Sequence, residues 1–170
     1  MIHISKIAVL DDPVFLGRSV ERLSTLIEEQ SGVVLRSYDV TIPVKSCSLV
    51  AVLEARGAAT AAELAKSLDV SHQLVLQKIP KLLKLGLIKT EQDQDDGRKR
   101  TFTLTQEGVG QIKRFRRSRT AIRAAYVELF AEVGDLFDLT LRTEAALRQR
   151  SIEERAGVIK SKQKTRDVIL

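Results

Sequence analysis

Few side chains in this sequence could do chemistry, and their spacing narrows the choice. Cys47 is the one cysteine and cannot form an intrachain disulfide, while the two histidines, His3 and His72, lie too far apart in the chain to make a metal-ligand cluster. No metal is expected. No nucleophile, base and orienting acid come together as a set, so neither an enzyme activity nor a cofactor is expected. Cys47 has two readings, a buried residue of a helix or a redox sensor, and only Lys45 stands close enough in sequence to lower its pKa.

What remains is charge. The formal net charge is +6 and the pI about 9.6, which suits a polyanionic partner. Residues 1 to 107 hold 14 Lys+Arg against 14 Asp+Glu, so the excess lies in residues 108 to 170, with 14 basic groups against 8 acidic ones. Lys113, Arg114, Arg116, Arg117, Arg119 and Arg123 follow one another without an intervening acid. Wound around several faces of a helix, that run could be a solvated surface, a pairing surface for a partner subunit or a phosphate contact.

These groups need elements to position them. With 170 residues, 44% hydrophobic and 29% charged, the chain can build an ordinary hydrophobic core. No apolar run approaches the roughly 20 residues that span a bilayer, and Asp11, Asp12 and Pro13 interrupt the apolar start at Ile7–Leu10. A cytoplasmic protein is expected.

Helical spacing of Leu16, Val20, Leu23 and Ile27 predicts a first helix from about Pro13 to Gln30, with Gly32 beyond its end. Residues 33–41 carry β-branched side chains and no helical period, and are expected to be extended or irregular. A second helix is expected from near Pro43 to Gly57, burying Leu49, Val52 and Leu53. Thr60-Ala61-Ala62-Glu63 reads as a capping box that opens a short helix. Ser71 can cap another, with Val75, Ile79, Leu82 and Leu83 on one side, so the pair is a helix-turn-helix candidate. Pro80 sits inside the second of these helices, where a kink is expected. Gly86 closes it, and residues 87–91 and 101–105 read as two strands of a hairpin with a polar tip. From Glu107 an apolar stripe through Val109, Ile112, Phe115, Ile122, Tyr126, Leu129 and Val133 marks a helix too long for one small domain to cover. Gly134 ends it, Asp135 can cap a last helix, and residues 160–170 form a lysine-rich tail.

The order of elements, with Thr60-Ala-Ala-Glu-Leu-Ala-Lys-Ser-Leu-Asp-Val-Ser71, Leu82-Leu-Lys-Leu-Gly-Leu-Ile88, Asp96-Gly-Arg98 and Leu104-Thr-Gln-Glu-Gly108, resembles the MarR family of winged-helix transcription regulators. The resemblance covers about residues 14 to 153. It implies a mainly α fold with a small β-wing: an amino-terminal arm and dimerisation helix over 1–42, a winged helix-turn-helix over 43–107, carboxy-terminal dimerisation helices over 108–155 and a basic tail over 156–170. It further implies a homodimer that reads a partly palindromic site on double-stranded DNA, often under control of a small ligand or an oxidant. No ligand is identified by the sequence.

A helix fits the major groove of B-DNA, and an arginine on a hairpin can enter the adjacent minor groove. By that resemblance Arg98 is the wing arginine, with Lys99 beside it and Asp96 as wing support; the plainer reading of Arg98 is an exposed ion pair with Asp96. In the helix capped by Ser71, the side chains of His72, Gln73, Leu76 and Gln77 would face the groove, the glutamines suiting adenine. Lys78 and Lys81 would contact phosphates, and His72 is either a contact or a surface histidine. Glu91, Asp93, Asp95 and Asp96 crowd the hairpin with negative charge. This supports a competing reading, a winged-helix protein-interaction dimer with weak or no specific DNA binding.

Overall fold

The helix boundaries follow from local chemistry at their ends. In the computed structural model, which describes residues 10, 12–92 and 100–158, Asp12 accepts from the Val14 amide at 2.8 Å and starts a 3-10 turn, Pro13–Phe15, that runs into helix α1, Leu16–Ser37. Helix α1 therefore passes through Gly32 and continues over residues expected to be extended. The reason is tertiary: Gly32 and Leu35 are buried, and a Cβ on Gly32 would lie 3.7 Å from the Val44 side chain. Packing against the next segment outweighs the weak preference of Val33, Val34 and Ser37 for other backbone states. Asp39, at φ 55°, ends the helix, with the Val40 amide donating to the Leu35 carbonyl at 3.0 Å.

A second 3-10 turn, Val44–Ser46, leads into α2, Cys47–Arg56, closed by Gly57 at φ 79°. Leu49, Val50 and Leu53 are its buried face, whereas Val52 is only partly buried. Strand β1, Ala58–Thr60, comes next, and Thr60 then caps α3, Ala61–Leu68. The capping box is present in both directions: the Glu63 amide donates to Thr60 Oγ1 at 3.2 Å and the Thr60 amide donates to Glu63 Oε2 at 2.8 Å. Asp69, left-handed at φ 53°, turns the chain, and α4, His72–Lys84, begins where Ser71 Oγ accepts from the Leu74 amide at 3.2 Å. Gly86, at φ 65°, stops α4 with the paired bonds of a Schellman turn, Leu87 N–H to Leu82 O and Gly86 N–H to Leu83 O.

Strands β2, Ile88–Gln92, and β3, Arg100–Leu104, pair antiparallel as the sequence indicates, with Thr90 opposite Phe102. The sheet has a third member: β1 lies on the other side of β3, with Ala59 opposite Phe102. Between these elements sits the core, in which Leu49, Leu53, Leu64, Leu82, Leu87 and Ile112 are fully buried. Each such side chain contributes about 1.5–3 kcal/mol relative to exposure.

Helix α5, Gln106–Val133, leaves β3 and presents Ile112, Gln111 and Ser118 to that core. Gln111 is polar and buried because both ends of its amide are used: Oε1 accepts from the Thr41 amide at 2.8 Å and Nε2 donates to Glu107 at 2.9 Å. One compact unit extends to Arg123, and a second starts at Ala124 within α5. In the second unit Tyr126 and Phe130 stack with ring centroids 5.8 Å apart, and Gly134, at φ 88°, ends α5. Asp135 accepts from the Asp138 amide to start α6, Leu136–Gln149, and a capping box at Ser151 and Glu154 starts α7, Ile152–Arg155. No described residue of this second unit is buried; Val127, Val133, Phe137 and Ile152 are each over 60% exposed. The expected tail, residues 160–170, lies outside the described residues.

Candidate nucleic-acid interface

Helix α4 has one face committed to the core and one left over. Val75, Ile79 and Leu82 are buried, and at 3.6 residues per turn the side chains most nearly opposite are Gln73, Gln77 and Lys84. Gln73 and Gln77 are exposed there, each with an amide that can donate and accept at once. His72 is exposed in the first turn, and Leu76 is 46% exposed on the flank between the two glutamines and the sheet. Lys78 is half-buried on the other flank, and Lys81 is exposed in the last turn. Ser71 Oγ accepts from the Leu74 amide at the cap, which leaves its hydroxyl hydrogen to donate.

The flank carrying His72 and Leu76 borders a cleft of about 520 Å³. Its floor is Ile79 and Phe102, and its far wall is Thr90 and Arg100 on the sheet. In an antiparallel pair, directly opposite residues share a face, so the pairing of Thr90 with Phe102 and of Gln92 with Arg100 turns Arg100 to the same side of the sheet as Phe102. On the other side Lys89 pairs with Glu91 at 2.6 Å, which occupies one of the acids that crowd the hairpin. Asp96, Arg98 and Lys99 lie outside the described residues.

Sequence reasoning missed one basic group here. Lys84 stands two helical turns from Gln77 on the same face, a spacing that the helical period would have revealed. Arg100 follows Arg98 and Lys99 in one basic stretch of the sequence, and its alternation with the buried Phe102 gives its side of the sheet. The helix α4 continues without interruption across Pro80, which is exposed and lies at the cleft. A proline on the exposed side keeps its ring out of the core, so the missing amide costs the Leu76 carbonyl a partner without disturbing Val75, Ile79 or Leu82.

Two other candidates sit elsewhere. Cys47 is buried, its Sγ 3.7 Å from the Pro43 carbonyl, and burial pushes its thiol up to about 12. Lys45, the basic neighbour in sequence, is instead bound to Glu28 at 2.7 Å, and that hydrogen bond raises its own pKa. Such surroundings suit a packed thiol and not a reactive one. Of the basic run on α5, Arg116 pairs with Glu54 at 2.9 Å and Arg114 with Glu107 at 3.5 Å, while Lys113, Arg117, Arg119 and Arg123 are exposed. Among the described residues no group of His, Cys, Asp and Glu could hold a metal ion, and no helix is long and apolar enough to cross a membrane.

Residues 38–99 match the sequence profile described as the MarR family. No curated protein matches the chain. Among solved structures, the organohalide-sensing transcriptional regulator RdhR in its 2,4-dichlorophenol-bound form aligns at a TM-score of 0.66 with 17% identity, covering 91% of each chain. A cysteine-to-serine mutant of MarR from E. coli, complexed with operator DNA, aligns at 0.59 with 16% identity, covering 82% of this chain and 96% of that one. The M. tuberculosis transcriptional regulator MosR in complex with DNA aligns at 0.58 with 21% identity, covering 78% and 96%.

Proposed function

We propose that this chain, whose residues 38–99 match the MarR family profile, is a homodimeric, non-catalytic transcription regulator of that family that binds double-stranded DNA. The observation that carries the reading is α4: a helix whose buried face is fully used by Val75, Ile79 and Leu82 and whose opposite face presents Gln73 and Gln77 beside an antiparallel hairpin. A helix of this width enters the major groove, and a glutamine amide matches the adenine edge. Ser71, His72, Lys78, Lys81 and Arg100 would position the helix on the backbone, with Arg98 and Lys99 reaching the adjacent groove from the hairpin. The operator-bound MarR and DNA-bound MosR structures, which share the fold, support the same reading.

Dimerisation through the terminal helices is supported by their exposed apolar surface. On α1, Leu16, Val20 and Leu26 lie in the open, and the second unit leaves Val127, Val133, Phe137, Leu139 and Ile152 uncovered. Apolar area of that extent on helices calls for a partner, and a second copy satisfies both sets. Control by a small molecule belongs to the same reading, supported by the dichlorophenol-bound RdhR neighbour.

Fluorescence anisotropy on duplexes enriched by the full chain from a random-sequence library, read at two salt concentrations, tests the proposal. Arg98→Ala should weaken binding to all sequences and reduce the salt slope by about one unit per site. Gln77→Ala should cost about 1–3 kcal/mol at one position of each half-site and leave the slope unchanged. Equal, sequence-independent losses in both variants would contradict the assignment; failure to enrich any sequence would favour the protein-interaction dimer.

A further inference from the structure

We infer that α4 is a reader of A·T base pairs, in which Leu76 packs on the methyl group of a thymine while Gln73 and Gln77 take adenine edges. The inference rests on the DNA-reading role proposed above and names the sequence class that role selects.

Three observations carry it. First, Gln73, Leu76, Gln77 and Pro80 follow the spacing of one helical ridge, so two amides and two apolar groups form a single exposed patch. Second, Leu76 is 46% exposed although the core beneath it is complete without it. A leucine held in water on the flank beside two amides gains by meeting an apolar group, and the thymine C5-methyl is the apolar group of the major groove. Third, the helix lacks the side chain that most often reads guanine. No arginine occurs in α4, and of its lysines Lys78 is half-buried on the far flank while Lys81 and Lys84 come after Pro80, in the last turn. Nor does α4 contain a carboxylate, the usual acceptor for the cytosine N4 amine. The ridge therefore offers what an A·T pair presents, a donor and acceptor for adenine and an apolar surface for thymine.

The test uses the duplex most enriched by the full chain, with each thymine replaced in turn by deoxyuridine, which deletes only the methyl group. At one thymine of each half-site the replacement should weaken binding about fourfold, the worth of one buried methyl group. Leu76→Ala should weaken binding to the thymine duplex and remove the thymine–uracil difference at that position; Leu76→Met, which keeps an apolar side chain, should retain it. Gln77→Ala should weaken binding yet leave the difference in place. Because Leu76 is partly exposed, both Leu76 variants are expected to fold, and their thermal melts confirm it before binding is compared. Indifference of the unmodified chain to uracil at every position, persistence of the difference in Leu76→Ala, or enriched half-sites built on G·C pairs would each overturn the inference while leaving DNA reading by α4 intact. A Leu76→Ala variant that altered only self-association would place a second copy of the chain on this face, and would overturn it too. Failure to enrich any duplex would overturn both readings.

Discussion

Alanine at Gly108 should destabilise the chain, although alanine is the better helix former. A Cβ at this position would lie 2.0 Å from the Leu87 carbonyl oxygen and 3.0 Å from the Leu87 carbonyl carbon. Both are backbone atoms, so no rotamer change relieves the overlap. Leu87 cannot withdraw cheaply: it is fully buried, its carbonyl accepts from the Thr105 amide at 3.1 Å, and its own amide donates to Leu82 at 3.0 Å as part of the turn that ends α4. Helix α5 cannot withdraw either without pulling the Gly108 amide from Thr105 Oγ1, 3.0 Å away. Overpacking of a tight site costs about 1–3 kcal/mol, and an overlap between two backbones belongs at the upper end. The helix-propensity gain of alanine over glycine offsets about 1 kcal/mol of that. The expected net loss is about 2 kcal/mol, or roughly 4–8 °C in Tm for a chain of this length. Gly110 supplies the control, because it lies two residues further along the same helix and a Cβ there meets nothing within 4 Å. Gly110→Ala should stabilise by about 0.5–1 kcal/mol. Urea and thermal unfolding followed by circular dichroism read both variants against the parent. If Gly108→Ala were as stable as the parent, or shifted in the same direction as Gly110→Ala, the close approach of α5 to Leu87 would be refuted.

Cys47 should react with a water-soluble thiol reagent at pH 8 only slowly in the native chain and rapidly in denaturant. Its folded pKa of about 12 stands above the ordinary 9.0, so both states are protonated below pH 9 and its contribution to stability is fully present there. Between pH 9 and 12 the unfolded thiol ionises first and stability falls, by about 1.4 kcal/mol per pH unit at most; Cys47→Ala should remove that part of the alkaline loss, and an unchanged pH profile would contradict it. Pro80→Ala should raise stability by up to about 3 kcal/mol, since it supplies the donor that the Leu76 carbonyl lacks in a helix that already continues across the site. A melt below that of the parent would show that the ring at the cleft contributes packing that outweighs the missing bond.

Much of the fold was written in short stretches of sequence. The capping box at Thr60, the cap at Ser71, the stop at Gly86, the strands of the hairpin and the cap at Asp135 each depend on residues within four or so positions of one another, and each stands where local chemistry put it. The exposed face of α4 was legible for the same reason, because the buried stripe Val75, Ile79, Leu82 fixes what lies opposite. Gly108 belonged to the stretch that suggested the family, but why a glycine must stand there was not visible until Leu87, 21 positions earlier, was found against it.

The tertiary structure decided what depends on distant partners. Residues 33–37 are helical because Gly32 and Leu35 meet the segment around Val44, a contact that outweighs local preference. Ala58-Ala59-Thr60 carries no strand signature, being short and rich in alanine, and becomes β1 only because Phe102 and its neighbours present a free edge of β3. Arg100 gains its place at the cleft from the register of that same pairing. Periodicity and caps act over one turn of helix and can be read along the chain, whereas burial is a property of the assembled core, where residues far apart in sequence compete for the same space.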